Sequence, residues 1–242
     1  MRRAGELAAR ALEVVLRAVE PGATTATLDR LAETFIRDHG GIPSFKDYRG
    51  FPASICVSVD EEVVHGIPGQ RRLRAGTLVS IDLGVFLDGF HGDVARTVTI
   101  GEVDGQTRRL LRVAEEALLV GIQEAREGRT TGDIGHAIQR VVEAEGFSVV
   151  RDFAGHGIGR NLHEGPEVPN YGTPGVGVPL GRGMTLAIEP MVNAGGFEVV
   201  VDGDGWTVRT RDRARSAHFE HTVAVGPEGA EVLTRLNGAE SI

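Results

Sequence analysis

Apolar positions near the start of the chain recur every three to four residues, which is the period of an amphipathic helix. This spacing predicts one helix over about residues 4–20, which Pro21 should end. A second helix, capped by Thr24 or Thr25, is predicted to run to Gly40. The positions that carry the pattern are Leu7, Ala8, Ala11, Leu12, Val15 and Val19 in the first helix and Leu28, Leu31, Phe35 and Ile36 in the second.

The same order of elements then repeats. Strand-like runs over about residues 53–100 follow the two predicted helices. Two more predicted helices, about residues 106–127 and 131–145, precede a second stretch of strands and glycine-rich loops. Two similar halves, about residues 1–104 and 105–242, are therefore expected to pack as a single α+β domain. Helices should cover one face of a curved, mostly antiparallel sheet.

The composition limits the classes of partner. The chain has 242 residues, of which 41% are hydrophobic and 25% charged, and its formal net charge is -8. A chain this acidic is a poor binder of nucleic acids or anionic membranes unless it carries a local basic face. The alternating Arg209, Arg211, Arg213 and Arg215 are expected on a strand edge that is solvated or faces a partner, rather than at a nucleic-acid site.

Cysteine usage and the N-terminal residues indicate a compartment. Cys56 is the only cysteine, so an intrachain disulfide is impossible and a reducing environment is expected. Charged residues interrupt the first apolar positions, which argues against a signal peptide or a membrane span. The expected location is therefore the cytoplasm.

Two aspartates are predicted to face each other across a short hairpin. Asp88 and Gly89 form a strong two-residue turn signal, which would pair Gly84 with Asp93. Asp82 then shares the face of Gly84, and the two aspartates become diagonal neighbours with Cα atoms roughly 7–8 Å apart. Carboxylates this close repel unless a cation lies between them, and two metal ions about 3.5–4 Å apart would fit. The alternative is a pair of solvated aspartates beside a glycine-rich bend.

Further candidate ligands occur in the second half. His156 and His163 lie in a glycine-rich stretch whose backbone can approach them closely, although His156 taken alone fits a structural loop histidine better. Glu189 ends an apolar strand run and Glu220 lies within another strand. A buried glutamate needs a partner, and a metal ion is one of few. Two Asp, two Glu and one His together suit Mn, Fe, Co or Zn rather than a structural thiolate zinc site.

An ordered set of motifs extends over nearly the whole chain, namely Cys56 to Pro68, Asp82 to Asp93, Gly155 to Gly159, His163 and Glu164, Ile188 to Met191, and Phe219 to Thr222. This set resembles the type I methionine aminopeptidases, metallopeptidases of the pita-bread fold. The stretch between His163 and Glu189 is too short for the inserted helical subdomain of type II enzymes. The resemblance implies a pita-bread fold, two divalent metal ions (Co, Mn, Fe or Zn), and removal of N-terminal methionine before a small second residue.

The resemblance also implies roles for individual residues. The implied metal ligands are Asp82, Asp93, His156, Glu189 and Glu220. The residues implied to be catalytic are His65, His163 and Glu189. The residues implied to bind the substrate are Phe45, Tyr48, Phe51, Cys56, His65, Leu162, His163 and Trp206. Phe45 departs from some bacterial relatives, which carry a smaller cysteine there, so the shape of the pocket stays open.

The implied mechanism is hydrolysis of the first peptide bond. Glu189 would take a proton from a metal-activated water and pass it to the leaving amine. His163 would donate a hydrogen bond to the developing oxyanion, and His65 would orient the scissile amide. The implied partners are nascent polypeptides with an N-terminal methionine, with transient ribosome contact, and a monomer that binds neither nucleic acid nor membrane is expected.

Two other functions stay open. An X-Pro peptidase of the same fold usually carries an additional N-terminal domain, for which this chain is too short. A non-enzymatic pita-bread binding protein typically lacks ligands, whereas all five positions are filled here. The remaining histidines have no recognisable partner set and are expected to be structural or solvated; they are His39, His91, His136, His218 and His221.

Overall fold

Four α-helices lie in residues 1–235, the part of the chain that the structure, a computed structural model, describes. They are α1 (Arg2–Arg17), α2 (Thr25–Asp38), α3 (Gly105–Glu124) and α4 (Thr131–Ala144). Each overlies a helix predicted from apolar spacing, and the Thr24 hydroxyl accepts a hydrogen bond from the backbone N–H of Thr27, which confirms the predicted cap. Within the same residues, no helix combines the length and the apolar content that crossing a bilayer requires.

Antiparallel strands form one large sheet and two small ones. The strands are β1 (Ile42–Pro43), β2 (Cys56–Val59), β3 (Glu62–Val64), β4 (Leu78–Leu87), β5 (Phe90–Thr99), β6 (Ser148–Val149), β7 (Gly155–Gly157), β8 (Glu164–Val168), β9 (Thr185–Ile188), β10 (Met191–Asn193), β11 (Val199–Val201), β12 (Val208–Thr210), β13 (Ser216–His218), β14 (Glu220–Val225) and β15 (Ala230–Val232). The large sheet has the order β1-β4-β5-β14-β9-β7-β8, with β2 on β4 and β15 on β14. The small sheets are β13-β10-β6 and β11-β12-β3.

The predicted hairpin between β4 and β5 is confirmed. Asp88 and Gly89 have positive φ angles of 52° and 81°, as a tight hairpin turn of the primed type requires. Gly84 lies opposite Asp93, and the pairing runs the full length of both strands without a shift. Asp82 therefore stays on the face of Gly84, and the two aspartates face the same side of the sheet.

Helices cover one face of the sheet, which confirms the expected α+β architecture. α1 packs so closely on β4 and β5 that a Cβ added at Gly92 would lie 2.8 Å from the Cα of Gly5. One apolar cluster lies beneath α1 and α2, and another beneath α3 and α4. β5 and β14 join these two regions, with Glu220 opposite Ala95. The two similar halves and the single domain over residues 1–242 stay predictions.

Candidate metal centre

Four carboxylate side chains converge where the two regions of the sheet meet. Asp82 on β4 and Glu220 on β14 both lie opposite Ala95 of the intervening strand β5. Asp93 is two residues from Ala95 and so points to the same face. Glu189 directly follows β9, the other neighbour of β14. Neighbouring strands thus bring together residues that are far apart in the sequence.

Asp93, His156 and Glu220 form a compact group of potential metal ligands. One ligand atom from each lies within 4.8 Å of those from the other two, and all three residues are buried. Glu189 approaches this group, because its Oε1 lies 3.6 Å from Nε2 of His156. Asp82 lies near the group, since it is opposite Ala95 and the charge of Asp93, after burial, raises its pKa. Three of the five residues that the resemblance implies as ligands thus form the compact group, and the other two, Asp82 and Glu189, lie beside it.

The backbone decides which nitrogen of His156 faces the carboxylates. Burial lowers the pKa of His156, so the ring is neutral near pH 7. Nδ1 lies 2.8 Å from the carbonyl oxygen of Gly157, and because a carbonyl can only accept, Nδ1 must donate. Nε2 is then left with a lone pair, which is the usual tautomer of a metal-binding histidine.

Thr222 closes the ladder between β14 and β5 beside the carboxylates. Its hydroxyl accepts a hydrogen bond from the backbone N–H of Asp93 at 2.9 Å and donates to the backbone oxygen of Asp93 at 2.8 Å. One side chain thus satisfies both backbone groups of a candidate ligand and fixes the direction of its carboxylate. The sequence offered only a weak signal for this role, a hydroxyl two residues after Glu220 on the same strand face.

Burial gives the four carboxylates unusually high proton affinities. It raises the pKa of Asp93 to about 7, against the opposing effect of a hydrogen bond from the backbone N–H of Val94. Burial and the charge of Asp93 raise the pKa of Asp82 well above its usual range. Burial, followed by the charges of the neighbouring carboxylates, does the same to Glu189 and Glu220. In the described part of the chain, no ion pair joins any of the four to a lysine or arginine.

Two oxygens of this cluster test whether it fits a cation. Within residues 1–235, Oδ1 of Asp82 and Oε1 of Glu220 are buried and have no hydrogen-bond partner. A charged oxygen buried without a partner is strongly unfavourable, so these atoms favour a ligand of positive charge. Carboxylates with one imidazole suit Mn, Fe, Co or Zn. The residues therefore fit the divalent metal ions that the resemblance implies.

Two neutral histidines flank the carboxylates. Nδ1 of His163 lies 2.9 Å from the Tyr48 hydroxyl, and its ring centroid is 4.2 Å from that of His156. Burial, reinforced by the charges of His156 and other cationic side chains, lowers the pKa of His163 to about 3. Burial alone lowers the pKa of His65 to about 4. Both rings are uncharged near pH 7, and each can donate one hydrogen bond to a substrate.

Apolar side chains form a wall beside the carboxylates. One cluster contains Phe51, Ala53 and Cys56 with Phe45, Ile67 and Trp206, and a second contains Ile158, Leu162 and Ala187 with Met1, Phe45 and Tyr48. Phe45 belongs to both clusters and so lies at their junction. The rings of Phe51 and Trp206 meet edge to face with centroids 5.1 Å apart. Cys56 lies opposite Asp82 across β2 and β4, which places the first cluster next to the acidic group.

His218 is the polar residue of this region that the sequence did not reveal. Its Nε2 is buried, has no hydrogen-bond partner in residues 1–235, and lies 3.6 Å from Oε2 of Glu189. The ring is therefore not solvated, and the Glu189 carboxylate lies beside it. Three other histidines do have structural hydrogen bonds, His39 to the Phe35 carbonyl, His91 to Ser44 and His221 to Thr234.

The arginine run after residue 208 does not form a solvated strand edge. β12 ends at Thr210, so a single strand does not carry the alternation. The Arg209 side chain is only 16% exposed and forms ion pairs with Asp202 and Glu61. Arg215 likewise pairs with an aspartate, Asp60, at 3.2 Å. The expectation is wrong for these two arginines because their acidic partners come from other parts of the sequence.

Similarity to known proteins agrees with these features. The family model of metallopeptidase family M24 matches residues 1–227. The chain is 53% identical to a methionine aminopeptidase of Clostridium perfringens over 236 residues, which cover 98% of this chain and 95% of the relative. It is 51% identical to methionine aminopeptidase 1 of Bacillus subtilis, again over 236 residues and with 98% and 95% coverage.

Solved structures show the same likeness. A methionine aminopeptidase from Thermotoga maritima superposes with a TM-score of 0.96 at 47% identity, covering 97% of this chain and 95% of that one. A prolidase from Pyrococcus horikoshii gives a TM-score of 0.79 at 20% identity, covering 98% of this chain and 61% of the prolidase. The second likeness shows the shared fold alone, and together they confirm the expected pita-bread architecture.

Proposed function

The chain belongs to the methionine aminopeptidases of metallopeptidase family M24, and from this premise we propose that it removes N-terminal methionine from polypeptides whose second residue is small. One juxtaposition carries the proposal. A buried acidic cluster with a single metal-ready imidazole lies directly beside an apolar, aromatic wall that contains Cys56. Such a site offers both a place for divalent cations and a place for a thioether side chain.

The metal ions are proposed to bind Asp82, Asp93, His156, Glu189 and Glu220. The buried oxygens without partners, the free Nε2 of His156 and the high proton affinity of the carboxylates support this set. When bound, two divalent ions would polarise the scissile carbonyl and lower the pKa of a coordinated water. Because the cluster is largely buried, it would keep bulk solvent away from the first peptide bond.

Glu189 is proposed to move the proton during hydrolysis. Its side chain is only 14% exposed, and its Oε1 and Oε2 each lie 3.6 Å from a histidine nitrogen. A carboxylate with a raised pKa can take a proton from water and give it to the leaving amine, which is the work of a general base and then a general acid. The observation that supports this role is the raised pKa of Glu189.

His163 and His65 are proposed to bind the reacting amide. If the Tyr48 hydroxyl donates to Nδ1 of His163, the proton of the neutral ring stays on Nε2, which can then donate to the developing oxyanion. His65 lies beside the apolar wall, with its ring 6.3 Å from that of Trp206. From there it would orient the scissile amide.

The methionine side chain is proposed to lie against the apolar wall. Its residues are Phe45, Tyr48, Phe51, Cys56, Leu162 and Trp206. Aromatic rings and a thiol are favourable neighbours for a thioether. Phe45 packs in both clusters. Some relatives carry a smaller cysteine at this position, so Phe45 should make the pocket narrower here.

A methionine-release assay tests the function directly. Metal-stripped protein is titrated with Mn²⁺, Co²⁺, Fe²⁺ or Zn²⁺ and supplied with a Met-Ala-Ser peptide. We expect metal-dependent release of free methionine and little release from a peptide with a bulky second residue. Cleavage only before proline would instead favour an X-Pro peptidase, and absence of hydrolysis with every metal would favour a binding protein.

The proposal also covers where the protein acts, with which partners, and in which oligomeric state. The substrates are polypeptides that begin with methionine, and we infer that they are met as nascent chains in the cytoplasm, with transient contact to the ribosome. We further infer that the protein acts as a monomer. Ribosome co-sedimentation and light scattering of the purified protein test these two points separately.

A further inference from the structure

His218 is held rigidly beside the acidic cluster. It ends β13, where it pairs with Met191 of β10. Its backbone N–H donates to the hydroxyl of Thr97 at 2.8 Å, and the same hydroxyl donates to the His218 carbonyl, also at 2.8 Å. These backbone bonds fix the direction in which the side chain leaves β13, and burial leaves the ring little room to move away from its neighbours.

The ring of His218 is directed at the proposed proton carrier. Its Nε2 lies 3.6 Å from Oε2 of Glu189, while Oε1 of the same carboxylate lies 3.6 Å from Nε2 of His156. Each oxygen of Glu189 therefore has a different histidine beside it. His156 belongs to the compact ligand group, whereas His218 does not belong to any such group in the described residues.

The Nε2 atom of His218 is the unexplained feature. It is buried and has no hydrogen-bond partner within residues 1–235, although buried ring nitrogens are normally satisfied. Oε2 of Glu189 is an acceptor within reach, and a small rotation of either side chain would close 3.6 Å to hydrogen-bond length. Hydrogen bonds in catalytic sites are often long until the site is fully assembled.

We propose that His218 is a positioning residue that donates a hydrogen bond from Nε2 to Oε2 of Glu189 and so fixes a carboxylate that would hold the metal ions. The inference rests on the proposed function. Metal-binding carboxylates are commonly oriented by a hydrogen bond from a neighbouring side chain, and loss of that neighbour weakens metal binding by about 10- to 100-fold. Because His218 would bond only Oε2, Oε1 of Glu189 stays available as a ligand on the side of the site where His156 lies.

Three variants test the inference through metal binding. In His218→Gln the side-chain amide N–H can replace the N–H donor of the ring. His218→Leu has a side chain of similar size but no hydrogen-bond donor. His221→Gln is the matched control, because it makes the same change in a nearby histidine that bonds Thr234 instead. We expect calorimetric titration with Mn²⁺ to give a Kd raised about 10- to 100-fold in His218→Leu, and within a few-fold of wild type in His218→Gln and His221→Gln.

Spectroscopy of the wild-type protein gives a readout that does not depend on a variant folding. In nitrogen-labelled protein loaded with Zn²⁺, NMR should show a proton on Nε2 of His218, and the signal should vanish in His218→Gln. An Nε2 without a proton would overturn the proposal, since the residue would then be an acceptor. In a second sample loaded with cadmium, a scalar coupling between this nitrogen and the metal would also overturn it, since the residue would then be a ligand.

The proposed function and the role of His218 can be refuted separately. If the wild-type protein neither binds Mn²⁺ nor releases methionine, the proposed function is wrong. If the wild type does both, and a folded His218→Leu binds Mn²⁺ as tightly as His221→Gln, only the role of His218 is wrong. Circular dichroism establishes which variants are folded, and a misfolded His218→Leu leaves the decision to the Nε2 proton.

Discussion

Two clusters of acidic side chains in this molecule differ in whether a basic side chain of the protein is paired with them. Around Arg209, the carboxylates of Glu61 and Asp202 gather at one guanidinium that the chain itself supplies. In the centre of the sheet, Asp82, Asp93, Glu189 and Glu220 gather with no lysine or arginine paired to them in the described residues. In the first cluster a basic side chain neutralises the acids, whereas within residues 1–235 no lysine or arginine does so in the second.

The proton affinities of the two clusters record this difference. The side-chain hydrogen bond from Arg209 lowers the pKa of Asp202, so that carboxylate is charged at all ordinary pH values. Burial raises the pKa of Asp93 to about 7, because nothing of opposite charge compensates for lost hydration. A buried group of acids therefore indicates a cation site only where the protein provides no cation of its own.

The largest expected effect comes from removing a central carboxylate. Asp93→Ala should lose bound metal and reduce methionine release by more than about 100-fold, since even an outer-shell partner of a metal is worth that much. Elemental analysis and the release assay measure both quantities. Asp202→Ala is the matched control in the other cluster and should keep metal and activity; full activity in Asp93→Ala would remove that residue from the site.

A smaller loss is expected at His163, which we place outside the metal shell. His163→Ala should keep its metal content but lower kcat by about 100- to 1,000-fold, the usual cost of losing one oxyanion donor. Metal analysis together with steady-state kinetics separates the two properties. Loss of bound metal in this variant would show that His163 is a ligand and that our assignment is wrong.

Metal removal should make stability depend on pH in the direction set by the central cluster. The folded-state pKa of Asp93 is raised, so the metal-free native state holds protons that the unfolded chain releases at a lower pH. Stability is then fully present below the ordinary carboxyl pKa of about 4 and is lost as the pH rises through about 7.

Thermal unfolding of the stripped protein should show this as a falling Tm between about pH 7 and about pH 8, where the histidines of the unfolded chain have already lost their protons. Asp93→Asn should make the slope shallower, because one of the four carboxyl groups with a raised pKa is gone. Asp202→Asn should not, since its lowered pKa acts only at acid pH. A Tm that rises steadily over this range in stripped wild-type protein would contradict the assignment of raised carboxyl pKa values.

The smallest effect is expected from breaking the self-contained cluster. Arg209→Met removes the guanidinium that Asp202 and Glu61 share. Asp202 then loses its ion pair, while Glu61 keeps Arg213 at 3.6 Å, and the change should cost about 1–3 kcal/mol of the free energy of unfolding. Urea denaturation measures this change. The metal content should not change, because Arg209 has no contact with the central carboxylates; a variant that loses metal would mean that the two clusters are coupled.

Local sequence patterns predicted much of the fold. Apolar spacing placed all four helices, and the Asp88-Gly89 turn set the register that puts Asp82 and Asp93 on one face. These features depend on interactions between residues close in sequence, so a single chain reveals them. His156, Glu189 and Glu220 were each weak candidates alone, and it was resemblance to a family that joined them into one set.

The tertiary structure decided what lies next to what across the sheet. Pairing of β14 with β5 put Thr222 on the backbone of Asp93, and pairing of β13 with β10 put His218 beside Glu189. It also gave Arg209 the partners that its strand-like spacing had hidden. Helix periods and turn residues act over a few positions, whereas strand partners are chosen by how separate apolar faces pack. The sequence by itself thus determined the elements and the acidic character of the site, and only packing over long distances in the chain decided which polar groups support it.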